Sequence, residues 1–176
     1  HLSRLCFRGL VILALFVWAT AATGEVWGFG DNSFSQLGDH TRESRSTPVP
    51  ALVENVTAIS LGFAHSLFLY VNRTVGIVGR VGQQVVPVPR PINTNPIHPL
   101  VNVTKIAAGR HHSLFLLATG SVQASGDNTF GQLGDGTTTA AQYAMPVNVA
   151  NVIAVAAGAY HSLFLLSDGT VNSAGL

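Results

Sequence analysis

Apolar residues in this chain come in short runs bounded by glycines and small polar residues. Runs of about five to seven residues with such boundaries predict strands rather than helices. Three of them carry the same string, HSLFL, at His65–Leu69, His112–Leu116 and His161–Leu165. Within it three apolar residues stand side by side, as expected of a strand buried on both faces. The intervals between copies are 47 and 49 residues. A period of about 20–50 residues signals a repeat architecture.

The repeat extends well beyond that string. An apolar segment ending in glycine precedes each copy, and Gly62, Gly109 and Gly158 each stand three residues before His65, His112 and His161. Downstream comes a turn and a second short strand, Gly120–Gly126 in one copy and Gly169–Gly175 in the next. The copy at Arg73–Gly79 has arginine where the others have the first glycine. Turns such as Ser167-Asp168-Gly169 suit hairpins, where glycine supplies a positive φ. Two copies then continue alike, from Gly30 to Asp39 and from Gly126 to Asp135, on the pattern Gly-Asp-Asn-x-x-x-Gln-Leu-Gly-Asp. The copy starting at Gly79 loses this pattern. Further extended pieces near Pro48-Val49 and Pro146-Val147 bring the count to about four strands per unit.

Repeated four-stranded units of this length predict an all-β protein built of β-propeller blades, each of four antiparallel strands. The recurring blocks (small-small-Gly-x-x-His-Ser, Gly-x-Val, then Gly-Asp-Asn with Gln-Leu-Gly-Asp) resemble the regulator-of-chromosome-condensation repeat over roughly residues 24 to 176. The resemblance implies a seven-bladed propeller. This chain holds about three blades plus partial units at both ends, an incomplete ring. The expectation is a fragment of a longer protein; the alternative is a half-ring that closes by self-association.

Composition adds an apolar leader. Hydrophobic residues make up 47% and charged residues 10% of the chain, which excludes a disordered protein. Much of the excess lies in Leu10–Ala22, which follows Arg4 and Arg8 and ends in small residues. A basic start, a short apolar run and a small-residue end predict a signal peptide over residues 1–21, with propeller repeats over 22–176. The run is short for a membrane span. By spacing, Phe16–Gly24 also aligns with His112–Gly120, so a worn strand of another blade is the alternative. The one cysteine, Cys6, lies in this leader. Without residues 1–21 the chain has seven basic and eight acidic residues, and Lys105 is the one lysine. No basic stripe remains to bind nucleic acid. In an exported chain, Asn55, Asn72 and Asn102 begin glycosylation triplets.

No catalytic or cofactor site is expected. His65, His112 and His161 fall on equivalent positions of different blades, on the order of 10 Å apart, too far to share a zinc ion. They are expected to satisfy backbone groups at strand starts. Each histidine is followed by serine, and adjacent side chains of a strand point to opposite faces, which defeats a catalytic triad. Gly28-x-Gly30 lacks the third glycine of a dinucleotide loop, and Asp135-Gly136-Thr137 lacks the acids of a calcium loop. Gly79–Leu100 departs most from the repeat and holds five of the eight prolines, which make a connection stiff and extended; the reading is drift in one blade, and the alternative is a projecting loop that contacts a partner. Trp27 is expected to face outward, and Phe34 and Phe130, at matching repeat positions, to pack inside. The function expected is that of a non-enzymatic protein-interaction propeller, exported or lumenal, with no cofactor and an unidentified protein partner. The resemblance also implies an alternative, guanine-nucleotide exchange on a small GTPase. A third is a propeller attached to a further domain.

Overall fold

The glycine-bounded runs form β-strands in the computed structural model, which describes residues 16–20, 23–81, 84–92 and 100–176. Strands β1 (Phe16–Thr20), β2 (Thr23–Gly30) and β3 (Arg45–Pro50) form one sheet. Strands β4 (Val56–Leu61), β5 (His65–Tyr70), β6 (Val75–Val81) and β7 (Gln84–Pro91) form a second. Strands β8 (Val103–Ala108), β9 (His112–Leu117), β10 (Val122–Gly126) and β11 (Ala141–Pro146) form a third. Strands β12 (Val152–Ala157), β13 (His161–Leu166) and β14 (Val171–Gly175) form a fourth. All pairings are antiparallel between consecutive strands. The all-β expectation of four-stranded antiparallel blades therefore holds, as two full blades flanked by two three-stranded sheets. No helix among the described residues is long and apolar enough to cross a membrane.

Consecutive sheets pack face to face, with the first strands β4, β8 and β12 lying against one another in succession. The HSLFL strand makes this possible by alternation. In β5, His65, Leu67 and Leu69 face the following blade, while Ser66 and Phe68 face the preceding one. Phe68 joins Val26, Ala51 and Val78 in one core, whereas Leu67 and Leu69 join Val103, Phe115 and Ala144 in the next. Strand β9 repeats the split: Phe115 packs back, and Leu114 and Leu116 pack forward with Val152 and Phe164. Full burial of each such side chain contributes about 1.5–3 kcal/mol. In β13 the backward half is retained and the forward half is open. Phe164 is 2% exposed, but Leu163 is 39% exposed where Leu67 and Leu114 are 0%. An open groove of about 350 Å³ runs beside β14, lined by Gly134, Val147 and Phe164 among others. In the preceding blade the corresponding strand edge, that of β10, is covered by β11.

The proline-rich segment is a drifted part of its blade, not the alternative projecting loop. Residues Gln84–Pro91 do not project; they pair with β6 as the outer strand of the second blade, with Val86 buried at 3%. Pro87, Pro89 and Pro91 are spaced by two, so their missing N–H groups all lie on one side of the strand. On an outermost strand this removes donors from an otherwise adhesive edge. Residues 93–99 lie outside the described residues.

Residues 1–15, 21 and 22 of the expected leader also lie outside the described residues. Its described part, β1, pairs with β2 so that Phe16 faces Trp27 and Thr20 faces Thr23. Equal spacing sets Phe16 at the place of His112, but His112 faces Gly126, the counterpart of Gly30. The β1–β2 connection is shorter, and the register of β1 moves by three residues.

Arg73 sits at a turn glycine's place with φ 63°, against 79° for Gly120 and 86° for Gly169. A side chain in this region is disfavoured. Arg73→Gly is expected to raise stability by about 0.5–1 kcal/mol in denaturant unfolding. A loss of stability would show that the arginine side chain contributes more than its backbone strain.

Candidate functional site

The histidine and serine of each HSLFL form a seam between blades. His65 Nε2 lies 3.1 Å from Ser113 Oγ, and His112 Nε2 lies 3.0 Å from Ser162 Oγ, each pair joining consecutive copies. Ser162 donates to the carbonyl of Gln132 at 2.7 Å, and Ser66 to that of Gln36 at 2.6 Å. With the Ser162 proton engaged there, His112 must donate through Nε2, which fixes the neutral tautomer with a bare Nδ1. The Nδ1 atoms of His65 and His112 are buried without a partner. Ser66 and Ser162 thus reach backbone as expected. The histidines instead reach the next blade's hydroxyl, because strand alternation points them forward.

The glycine three residues earlier is required by the ring that folds over it. A Cβ on Gly109 would lie 2.1 Å from His112 Cε1 and 2.7 Å from the Gly158 carbonyl oxygen; Gly62 is enclosed in the same way by His65 and Gly109. Gly158 is covered by His161, although His161 itself is exposed on the open face of the fourth sheet. Gly30 and Gly126 adopt φ of 111° and 109°, and a Cβ on Gly126 would lie 2.3 Å from the His111 carbonyl oxygen.

Burial holds the His65 imidazole far below its ordinary value, at about 4, with the His111 and His112 charges adding to the effect. Burial likewise lowers His112 to about 4, against the opposing pull of Asp127. Among the described residues, no three His, Cys, Asp or Glu side chains come together as a metal site.

The Gly-Asp-Asn loops form closed polar networks. Asn32 is fully buried. Its Oδ1 accepts from Leu37 N at 3.0 Å, and its Nδ2 donates to Asp39 and Thr41. Gln36 accepts from Phe34 N and donates to Asp31. Asn128 and Gln132 repeat these contacts with Leu133, Asp135, Phe130 and Asp127. Hydrogen bonds to their neighbours hold Asp31, Asp39, Asp127 and Asp135 below the ordinary carboxylate value, outweighing the upward push of partial burial. These acids are spent on loop structure.

Strand direction sorts the remaining features to two ends of the blades. One end carries the turns. Asn55, Asn102 and Asn151 occupy equivalent left-handed positions there, with φ of 56°, 55° and 59°, and their carbonyls accept from Val71, Ala118 and Ser167. Asn151 begins no glycosylation triplet, so backbone conformation accounts for asparagine at this place in all three. Asn72 lies at the same end, in the β5–β6 turn, accepting from Thr74 N at 3.1 Å. All three candidate glycosylation residues are exposed.

The other end carries the loops β4–β5, β8–β9 and β12–β13 together with the Gly-Asp-Asn loops, tied by Asp127 N to His111 O and Leu176 N to Tyr160 O. Rings and guanidinium groups gather there. Arg110 Cζ lies 4.9 Å from the Phe63 ring centre and 5.4 Å from that of Tyr160. Phe63 meets His111 edge-on, and Phe130 meets Tyr160 edge-on. Arg80 lies over Phe34 at 5.3 Å. Phe130 is 44% exposed and Phe34 half-buried, contrary to the expected interior packing. Their repeat positions suggested a core role, but those positions fall on loops rather than strands. Trp27 is 38% exposed, as its strand position predicted. Sequence reading missed Phe63, Arg110 and Tyr160, which differ between copies. Their signal was their common place between Gly and His in each G-x-x-H.

Antiparallel four-stranded blades stitched in succession define a β-propeller repeat protein. The chain belongs to the regulator of chromosome condensation (RCC1) repeat family, whose models match residues 23–69, 103–132 and 152–176. It is 31% identical over 129 residues to the Xenopus laevis regulator of chromosome condensation, covering 64% of this chain and 29% of that protein. It is 30% identical over 158 residues to a human RCC1-like G exchanging factor-like protein, covering 76% of this chain and 33% of the relative. The chain thus spans about a third of the length of these relatives. Yeast RCC1 (Prp20), in a crystal structure with Kap60, superimposes with a TM-score of 0.73 over 86% of this chain and 40% of that one, at 24% identity.

Two outcomes test the seam. Gly109→Ala is expected to cost at least about 2 kcal/mol through overpacking, while Gly169→Ala, with nothing within 4 Å, costs roughly 1 kcal/mol from backbone strain alone. Equal costs would show that the histidine ring does not set the glycine. Stability should also fall with acid. His65 and His112 are harder to protonate folded than unfolded, so their contribution is complete above pH 6.5 and is lost as pH falls toward 4. The displacement corresponds to roughly 3 kcal/mol for each histidine. A denaturation midpoint unchanged between pH 7 and 4.5 would contradict the neutral buried state.

Proposed function

We propose that this chain is part of a non-enzymatic interaction propeller that binds a partner protein through the loop end of its blades. The observation that carries this reading is the division between the two ends. Phe63, Phe130, Arg110 and Tyr160 gather at the loop end, while Asn55, Asn72 and Asn102 stand at the opposite end. Exposed aromatics and arginine are enriched where proteins bind. Asp31, Asp39, Asp127 and Asp135 of the described Gly-Asp-Asn loops are held in structural networks. Export belongs to the same proposal and rests on the leader composition. Glycans on the three asparagines would then leave the loop end clear.

Exchange of guanine nucleotide on a small GTPase is the second reading, favoured by the name of the human relative. It uses the same end in a different role, because exchange requires the partner's nucleotide to leave.

Photo-crosslinking residues placed at 63 and 130, and at 72 and 168 as the contrasting set, test the proposal in the intact protein. Crosslinks to one partner from positions 63 and 130 alone support it. Crosslinks from positions 72 and 168 alone overturn it. Accelerated nucleotide release from a GTPase, abolished by Phe63→Ala with Phe130→Ala, would replace it with the exchange reading.

A further inference from the structure

Arg110 has unusual surroundings at the loop end. It stands in the β8–β9 loop, whose N–H at residue 110 donates to the Ala159 carbonyl at 3.4 Å. Its guanidinium is held between the Phe63 and Tyr160 rings, and Nη1 donates to the Tyr160 hydroxyl. Nε is buried and makes no hydrogen bond. The ion pairs among the described residues are those of Arg45 with Asp39 and Glu43, so no described carboxylate neutralises Arg110. Nearby Asp127 is engaged by Thr129 and Gln132.

Such a guanidinium has already lost its rotamer freedom to the two rings, so little ordering remains to be done when an anion binds. The rings offer π faces but no counter-charge. Phe63, 54% exposed, and Phe130, 44% exposed, flank it with apolar surface. Charge and shape together select the ligand.

We infer that Arg110 is the receptor for a carboxylate on an acidic segment of the partner protein, with apolar side chains of that segment resting on Phe63 and Phe130. This rests on the interaction reading and names its chemistry. A phosphate backbone fits less well, because nucleic-acid tracks need several clustered cations in excess and the nine Lys and Arg of this chain are matched by eight Asp and Glu.

The test uses the intact protein and three probes: an acetylated, amidated Glu-Phe-Glu-Phe peptide, its Gln-Phe-Gln-Phe analogue, and a single-stranded oligothymidylate. The expected result is that the glutamate peptide shifts the Arg110 guanidinium NMR signals and binds at least about tenfold more tightly than the glutamine analogue. That preference should shrink in high salt and vanish in Arg110→Gln. Arg110→Lys, which keeps the charge but not the fork, should retain part of it, and Phe63→Ala should weaken binding in a folded protein. Equal binding of the two peptides, or preferential binding of the oligonucleotide, overturns the assignment. If crosslinks from positions 63 and 130 persist while the peptide preference is absent, the carboxylate assignment fails and the loop-end reading stands. If those crosslinks are also absent, both fail.

Discussion

Everything in this fold depends on one constraint: a flat blade has two faces, and a single strand must supply both. The string HSLFL meets it by alternation. His65, Leu67 and Leu69 serve the next blade, while Ser66 and Phe68 serve the previous one. The histidine also dictates the glycine three residues earlier, since its ring occupies the space of a Cβ. The serine dictates contact with the Gln-Leu-Gly-Asp loop, whose glutamine carbonyl accepts its proton. Histidine, serine, glycine and loop therefore recur together because they form one joint. The second blade shows the limit of that dependence. Its loop has lost the motif, yet its strands pair normally and its outer strand remains in place.

Of the three HSLFL histidines, His65 and His112 are committed to the seam, whereas His161 lies exposed on the open face of the fourth sheet. The acids of the Gly-Asp-Asn loops are committed to capping those loops. The copies differ between the glycine and the histidine of each G-x-x-H, where they read Phe63-Ala64, Arg110-His111 and Ala159-Tyr160. These positions lie at the loop end, where all but the buried Ala64 keep some exposure, and they vary without disturbing the joint.

The blade architecture was legible in the sequence because the strand period, the turn residues and the seam all repeat at one spacing. Gly62, Gly109 and Gly158 could be recognised as structural, but the cause, a histidine ring folded onto each, is a three-dimensional contact that no spacing reveals. The proline run at Pro87–Pro91 left a drifted blade and a projecting loop both open, because composition reports stiffness and not pairing. Its alternate spacing is what an edge strand tolerates. Phe34 and Phe130 were misread as core because recurrence was equated with burial, although loop positions recur as faithfully as strand positions. The Arg110 cluster was missed for the opposite reason: Phe63, Arg110 and Tyr160 share a place in G-x-x-H but not a residue type, so no recurring side chain marked them.

The most direct test of the account is a double-mutant cycle between His112 and Ser162, using His112→Asn, Ser162→Ala and the pair, read by denaturant unfolding. If the two side chains form one joint across the blades, the double variant should lose at least about 1 kcal/mol less than the sum of the single losses, since each single change strands a buried polar group. Additivity within about 0.5 kcal/mol would mean that the two residues act independently and form no joint across the blades.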